Sequence, residues 1–128
     1  MRREQVLELV SRNPIRLAAL ATFATVLALL VPMSERVQLG PVLSLLHIPM
    51  FAVLVLLWMH ALTREWLGTV AAVAVCLGVG TALAVGTELL QYWVPGRWPG
   101  VADVIRNLLG LALGISLFFW LGLNDRRG

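Results

Sequence analysis

Four long apolar stretches constrain the fold of this sequence more than any other feature. Each is about 17 to 25 residues long, and a helix that rises about 1.5 Å per residue needs about 20 residues to cross a membrane core. Proline, glycine and charged residues separate the stretches. We therefore predict an all-α membrane protein, a four-transmembrane-helix bundle in one domain, residues 1–128, with helices at about 15–31, 42–62, 67–91 and 104–123.

Composition agrees with this prediction and excludes several classes of function. Hydrophobic residues make up 59% of the chain and charged residues only 13%, against about 25% charged residues in soluble domains. All 10 basic residues are arginines at the ends of the stretches, so no basic stripe for nucleic acid is formed. The single cysteine, Cys76, lies inside an apolar stretch and has no partner for an intrachain disulfide.

The distribution of arginine predicts the orientation of the bundle, because the cytoplasmic side of a membrane protein carries the excess of basic residues. The side that holds the N-terminal arm, the loop after helix 2 and the tail has more arginines than the opposite side. The first group is Arg2, Arg3, Arg12, Arg16, Arg64, Arg126 and Arg127, and the second is Arg36, Arg97 and Arg106. We predict that both termini are cytoplasmic (N-in/C-in), with residues 1–13 as a cytoplasmic or interfacial arm.

Polar residues that are rare in membrane helices gather on the predicted outer side. They occupy the outer third of helix 2, the outer end of helix 3, the loop that follows it and the start of helix 4. The predicted binding residues are His47, Glu88, Gln91, Arg97, Asp103, Arg106 and Asn107, and Glu88 and His47 are also the candidate catalytic residues. On the inner side only His60 is comparable, and we interpret it as an interfacial residue.

Structural alternatives stay open for most of these residues. Glu88 either forms an ion pair with Arg97 or Arg106, or takes part in binding a ligand or a proton. Asp103 stands directly before predicted helix 4, where a carboxylate caps free backbone N–H groups. Asn107 lies a turn inside that helix and has to form hydrogen bonds across helices.

Small residues recur on two of the predicted helices. Gly78 and Gly86 belong to a row with one small residue every four positions on helix 3, and Gly110 and Gly114 share the Asp103 face of helix 4. Such rows let helix backbones approach closely in lipid. We predict that these four glycines are helix-packing positions.

The region after residue 86 resembles a known family. Thr87-Glu88-Leu89-Leu90-Gln91, then Pro95-Gly96-Arg97, then Asp103 to Gly110 with Gly114 is similar to the signature of the VanZ-like family, and His47 resembles that family's other marked position. The family often has an Asp-Lys pair where this chain has Leu43 and Ser44. The resemblance implies a small bacterial inner-membrane protein related to the teicoplanin-resistance protein, and it implies no settled biochemical activity.

These observations lead to one functional hypothesis and two alternatives. We expect a multi-pass protein of the bacterial inner (plasma) membrane whose outer-leaflet polar site recognises a lipid or lipid-linked cell-envelope headgroup and affects sensitivity to envelope antibiotics. The alternatives are a membrane enzyme that acts on such a lipid, with Glu88 or His47 as general base, and a structural or assembly subunit.

Membrane lipids and a lipid-linked envelope precursor are the predicted partners, nucleic acid is excluded, and homo-oligomerisation stays open. No cofactor is predicted. No metal is predicted either, because His47, Glu88 and Asp103 lack the close sequence spacing of common metal sites.

Overall fold

The computed structural model describes residues 2, 4, 5, 8, 12–30, 40–95 and 100–123. These residues form four α-helices, and no strand occurs among them: α1 is Pro14–Leu30, α2 is Gly40–Glu65, α3 is Thr69–Gln91 and α4 is Val101–Trp120. The all-α prediction is thus confirmed for the described part of the chain. Most of the predicted arm, residues 1–13, and residues 31–39 lie outside the described part.

Three of the described helices, α2, α3 and α4, are long and apolar enough to cross a membrane. Helix α1 is apolar but has only 17 residues, so it rises about 25 Å against a hydrocarbon core of about 30 Å. The structure therefore supports a membrane protein with three helices of spanning length and a shorter fourth one.

Helix α4 begins and ends three residues earlier than the sequence predicts. Gly100 is its N-cap, with extended backbone, so that the first turn already contains Asp103. Its C-terminal end is set by Gly122, whose φ of 67° lies in the left-handed region. The backbone N–H of Gly122 donates to Phe119 O and that of Leu123 donates to Phe118 O, a closure that glycine favours because it has no Cβ.

Helices α2 and α4 run parallel and pack closely. A Cβ added at Gly110 would clash with the backbone oxygen of Ile48, and one at Gly114 would lie 2.5 Å from the backbone oxygen of Ala52. A step of four residues along α4 thus matches a step of four residues along α2. The two helices therefore begin at the same end of the bundle.

Helix α3 runs in the opposite direction, because only three residues, 66–68, separate it from the end of α2. Side chains from three helices form the larger apolar core: Val55, Met59 and Leu62 of α2, Ala72 and Cys76 of α3, and Leu111 and Phe118 of α4. A smaller cluster joins α1 to the bundle through Leu29, Phe51 and Ala84. The start of α2, the end of α3 and the start of α4 consequently meet at one end, which we call the site end.

Candidate functional site

The site end brings a histidine and a glutamate together in the interior of the protein. His47 comes from the early part of α2 and Glu88 from the last turn of α3, and their side chains are only 5% and 6% exposed. His47 Nε2 lies 3.8 Å from Glu88 Oε1. Both side chains are shielded from water, so a charge on one acts on the other with little screening by solvent.

Glu88 also contacts the start of α4. The backbone N–H of Gly100, the N-cap residue, donates to Glu88 Oε2 at 3.2 Å. A carboxylate at this position is stabilised by the positive end of the helix dipole. Glu88 therefore links all three helices of the site end, and it takes up a backbone N–H group that would otherwise be open to an anionic ligand.

Asp103 pairs with Arg106 in the first turn and a half of α4. Arg106 Nη1 lies 2.6 Å from Asp103 Oδ1, and the two side chains are 32% and 14% exposed. The prediction that Asp103 caps α4 is wrong, because the helix begins two residues before it and Gly100 is the N-cap. Of the two alternative ion pairs of Glu88, the one with Arg106 does not form, since Arg106 pairs with Asp103, and Arg97 lies outside the described residues.

Asn107 is fully buried, at 0% exposure. Neither its Oδ1 nor its Nδ2 has a hydrogen-bond partner among the described residues, which contradicts the expectation that it bonds across helices. An unpaired buried polar group costs about 1–3 kcal/mol. Asn107 lies one turn before Gly110 and hence level with the turn of α2 that carries His47. The structure thus holds a buried amide with open donor and acceptor groups at the site.

Gln91 has a structural contact to the first helix. Its Nε2 donates to the backbone oxygen of Leu29 in α1 at 2.8 Å, and its side chain is buried. This bond accounts for the Nε2 group of Gln91 and ties the last turn of α1 to the site end. Arg97, the remaining predicted binding residue, lies outside the described residues.

A comparison of the sequence with models of known protein families identifies the family of this chain. The VanZ/LLP1 model matches residues 3–122, which is nearly the whole chain. The chain belongs to the VanZ/LLP1 family. No curated protein and no solved structure matches it. Family membership together with the three apolar helices of spanning length makes it a VanZ-like membrane protein.

In this VanZ-like chain the two rows of small residues behave differently. Gly110 and Gly114 lie against α2, as described above. A Cβ at Gly78 or Gly86 of α3, by contrast, would meet nothing within 4 Å among the described residues. The expectation of close packing is therefore not met at Gly78 and Gly86, because α3 turns other residues toward its neighbours: Ala72, Cys76, Ala84, Thr87, Glu88 and Gln91.

An apolar cavity of about 300 Å³ lies next to the polar residues of the VanZ-like bundle. Its walls come from α1, α2 and α3 and include Thr22, Phe51, Trp58, Cys76, Gly80 and Leu83. Thr22 Oγ1 accepts a hydrogen bond from Trp58 Nε1 and donates to the backbone oxygen of Ala18, so these polar atoms are paired. The volume is at the lower end of the range of about 300–1,000 Å³ for small-molecule sites.

The cavity and the polar residues are neighbours along two helices. Phe51, a wall residue, is one turn after His47 on α2, and Leu83, another, is about one turn before Glu88 on α3. Neither this cavity nor the contact from Gly100 to Glu88 was predicted from the sequence. Gly100 stands directly before α4, and a glycine before a helix is the sequence signal that could have indicated the contact. No sequence signal indicates the cavity.

Proposed function

We propose that this VanZ-like protein recognises the headgroup of a lipid or lipid-linked envelope precursor in the bacterial inner membrane. The observation that carries the proposal is a polar, charge-bearing site at one end of the bundle and an apolar cavity whose wall begins about one turn away along α2, at Phe51. An amphiphile has the same division, because its headgroup needs ionic and hydrogen-bonding partners and its chain needs an apolar surface.

Arg106 is the residue that first meets the headgroup in this proposal. Its side chain is 32% exposed, and a guanidinium presents five N–H donors, of which a single carboxylate uses one or two. Asp103 holds the group in place while the remaining donors bind phosphate or carboxylate oxygens. Arg97 is the second predicted anion-binding residue.

Asn107 and the His47–Glu88 pair form the deeper part of the proposed site. The amide of Asn107 has open donor and acceptor groups, which suit a hydroxyl or amide of the headgroup. His47 and Glu88 exchange or accept protons beside it. The arginine distribution favours a multi-pass, N-in/C-in arrangement with this end at the outer leaflet. In the proposal, headgroup binding there affects sensitivity to envelope antibiotics.

A lipid-modifying enzyme is the second candidate, and the buried His47–Glu88 contact at 3.8 Å favours it. A histidine beside a carboxylate is a common arrangement for general acid–base catalysis. The two candidates differ in whether a chemically changed lipid is formed. Lipid mass spectrometry of cells with and without the protein would reveal a new lipid species for an enzyme and none for a binding protein.

The proposed function is tested by native mass spectrometry of the full chain extracted from bacterial membranes in detergent. We expect the wild-type protein to retain a lipid and Glu88→Gln to lose it with its fold intact. Glu65→Gln is the matched control, since Glu65 is exposed at the opposite end of α2. Equal lipid retention by the wild type and by Glu88→Gln would contradict the proposal.

The antibiotic part of the proposal needs a separate measurement. Cells that produce the wild-type protein are compared with cells that produce Arg106→Ala at equal membrane levels. We expect the arginine variant to lose the change in envelope-antibiotic sensitivity that the wild type confers. Unchanged sensitivity in Arg106→Ala cells would refute this part and leave lipid binding to be judged by mass spectrometry.

A further inference from the structure

Three side chains with metal-ligand chemistry converge at the site end although they are far apart in the sequence. His47, Glu88 and Asp103 each offer one ligand atom, and these atoms all lie within 4.8 Å of one another. The three residues come from three different helices. Their side chains are between 5% and 14% exposed, so the point between them is largely enclosed.

The spacing suits a cation after a small adjustment. Zinc–nitrogen and zinc–oxygen bonds are about 2.0–2.2 Å long, which places ligand atoms of a tetrahedral site about 3.4 Å apart. The His47 Nε2 to Glu88 Oε1 distance is 3.8 Å. The ligand atoms are up to 4.8 Å apart, so side-chain rotation has to shorten the widest separation by about 1.4 Å.

The charge of the described part of the site also favours a cation. Glu88 and Asp103 carry two negative charges, and Arg106 supplies one positive charge, which leaves a net charge of −1. The two negative charges repel each other, and this repulsion is strong away from water. A divalent ion between them removes the repulsion and leaves a net charge of +1, which suits an anionic headgroup.

Asn107 is a second, independent observation that points to a ligand. It follows Asp103 by one turn on the same face of α4, it is fully buried, and both polar atoms of its amide lack partners among the described residues. Gly110 sets the register that brings this turn level with His47. Its amide is thus placed to bond an ion-bound water or to serve as an additional oxygen ligand.

We propose that His47 Nε2 and the carboxylates of Glu88 and Asp103 form a binding site for a divalent transition-metal ion. An imidazole combined with two carboxylates suits zinc or manganese better than magnesium or calcium, which prefer oxygen ligands alone. The proposal departs from the sequence-based prediction of no metal. It does not depend on lipid recognition, because all three ligands belong to the protein.

The test uses the full chain in detergent, stripped with a chelator and titrated with Co²⁺ and then with Zn²⁺. We expect one Co²⁺ per chain with visible absorption bands of a low-symmetry site, and displacement of these bands by Zn²⁺. His47→Gln, Glu88→Gln and Asp103→Asn should each weaken binding at least about 10-fold. His60→Gln and Glu65→Gln should bind like the wild type.

Circular dichroism and gel filtration show whether each variant keeps its fold. Zn²⁺ should raise the melting temperature of the wild type, His60→Gln and Glu65→Gln, and it should not raise that of the three ligand variants. Wild-type protein that binds neither ion would overturn the proposal. Equal loss of binding in His60→Gln and His47→Gln would overturn it as well, since it would indicate non-specific binding. A wild-type protein that binds neither ion but still retains a lipid would leave the proposed function standing while the metal site fails.

Discussion

The two ends of the bundle contain similar residue types in opposite environments. At the site end, His47 and Glu88 are buried and 3.8 Å apart. At the other end, His60 is half-buried, and Arg64 and Glu65 are exposed at the end of α2. Burial shields the first pair from solvent and fixes its geometry, whereas exposed charges interact weakly through solvent. The difference shows that position in the fold, and not residue type, distinguishes a candidate site.

The largest expected difference between the ends is their accessibility from outside the cell. Tyr92 at the site end and Trp66 at the other end are similarly exposed, at 70% and 68%. In a Cys76→Ala background, a membrane-impermeant maleimide should label Tyr92→Cys in intact cells and Trp66→Cys only after permeabilisation. Labelling of Trp66→Cys alone in intact cells would invert the predicted N-in/C-in orientation.

The contact that aligns the site end should be sensitive to one methyl group. A Cβ at Gly110 would clash with Ile48 O and lie 2.8 Å from Phe51 Cβ, so Gly110→Ala should lower the free energy of unfolding by about 1–3 kcal/mol. Gly78→Ala is the control, because a Cβ there meets nothing within 4 Å among the described residues. Unfolding in mixed detergent micelles measures both, and equal destabilisation would refute the described packing.

A smaller effect of opposite sign is expected at Asn107. Replacing this buried, unpaired amide with leucine removes two unsatisfied polar atoms, so Asn107→Leu should raise the free energy of unfolding by about 1 kcal/mol while lipid retention falls. Asn107→Asp should instead destabilise the protein, because it buries a charge. The same unfolding assay gives both values. A large loss of stability in Asn107→Leu would show that the amide has a structural role.

The smallest effect is expected at the opposite end. His60→Gln and Glu65→Gln should leave lipid retention in native mass spectrometry unchanged, because the two residues lie about 20 Å and about 27 Å along α2 from His47. Loss of lipid in either variant would remove the distinction between the two ends.

The sequence predicted the helices well because segment length and hydrophobicity depend only on local composition. It was less accurate at helix ends, because single residues determine where a helix begins and stops. With Gly100 and Gly122 at its two ends, α4 lies three residues closer to the N-terminus than predicted. Asp103 is therefore a first-turn residue that pairs with Arg106, and it is not a cap. That polar residues of α2, α3 and α4 gather at one end of the bundle could be predicted from the alternating direction of the helices alone.

Contacts between helices could not be predicted in this way. The bond from Gln91 to Leu29, the packing of Gly110 rather than Gly78 and the apolar cavity all depend on how each helix is rotated about its axis. A row of small residues does not specify which neighbour it meets. These features require coordinates.

Discrimination between headgroups tests the central claim most directly. Native mass spectrometry of the delipidated protein would compare retention of phosphatidic acid with retention of diacylglycerol carrying the same acyl chains, for the wild type and for Arg106→Ala. We predict that the wild type retains phosphatidic acid and not diacylglycerol, and that Arg106→Ala loses this preference. Equal retention of the two lipids by the wild type would contradict headgroup recognition at the site end.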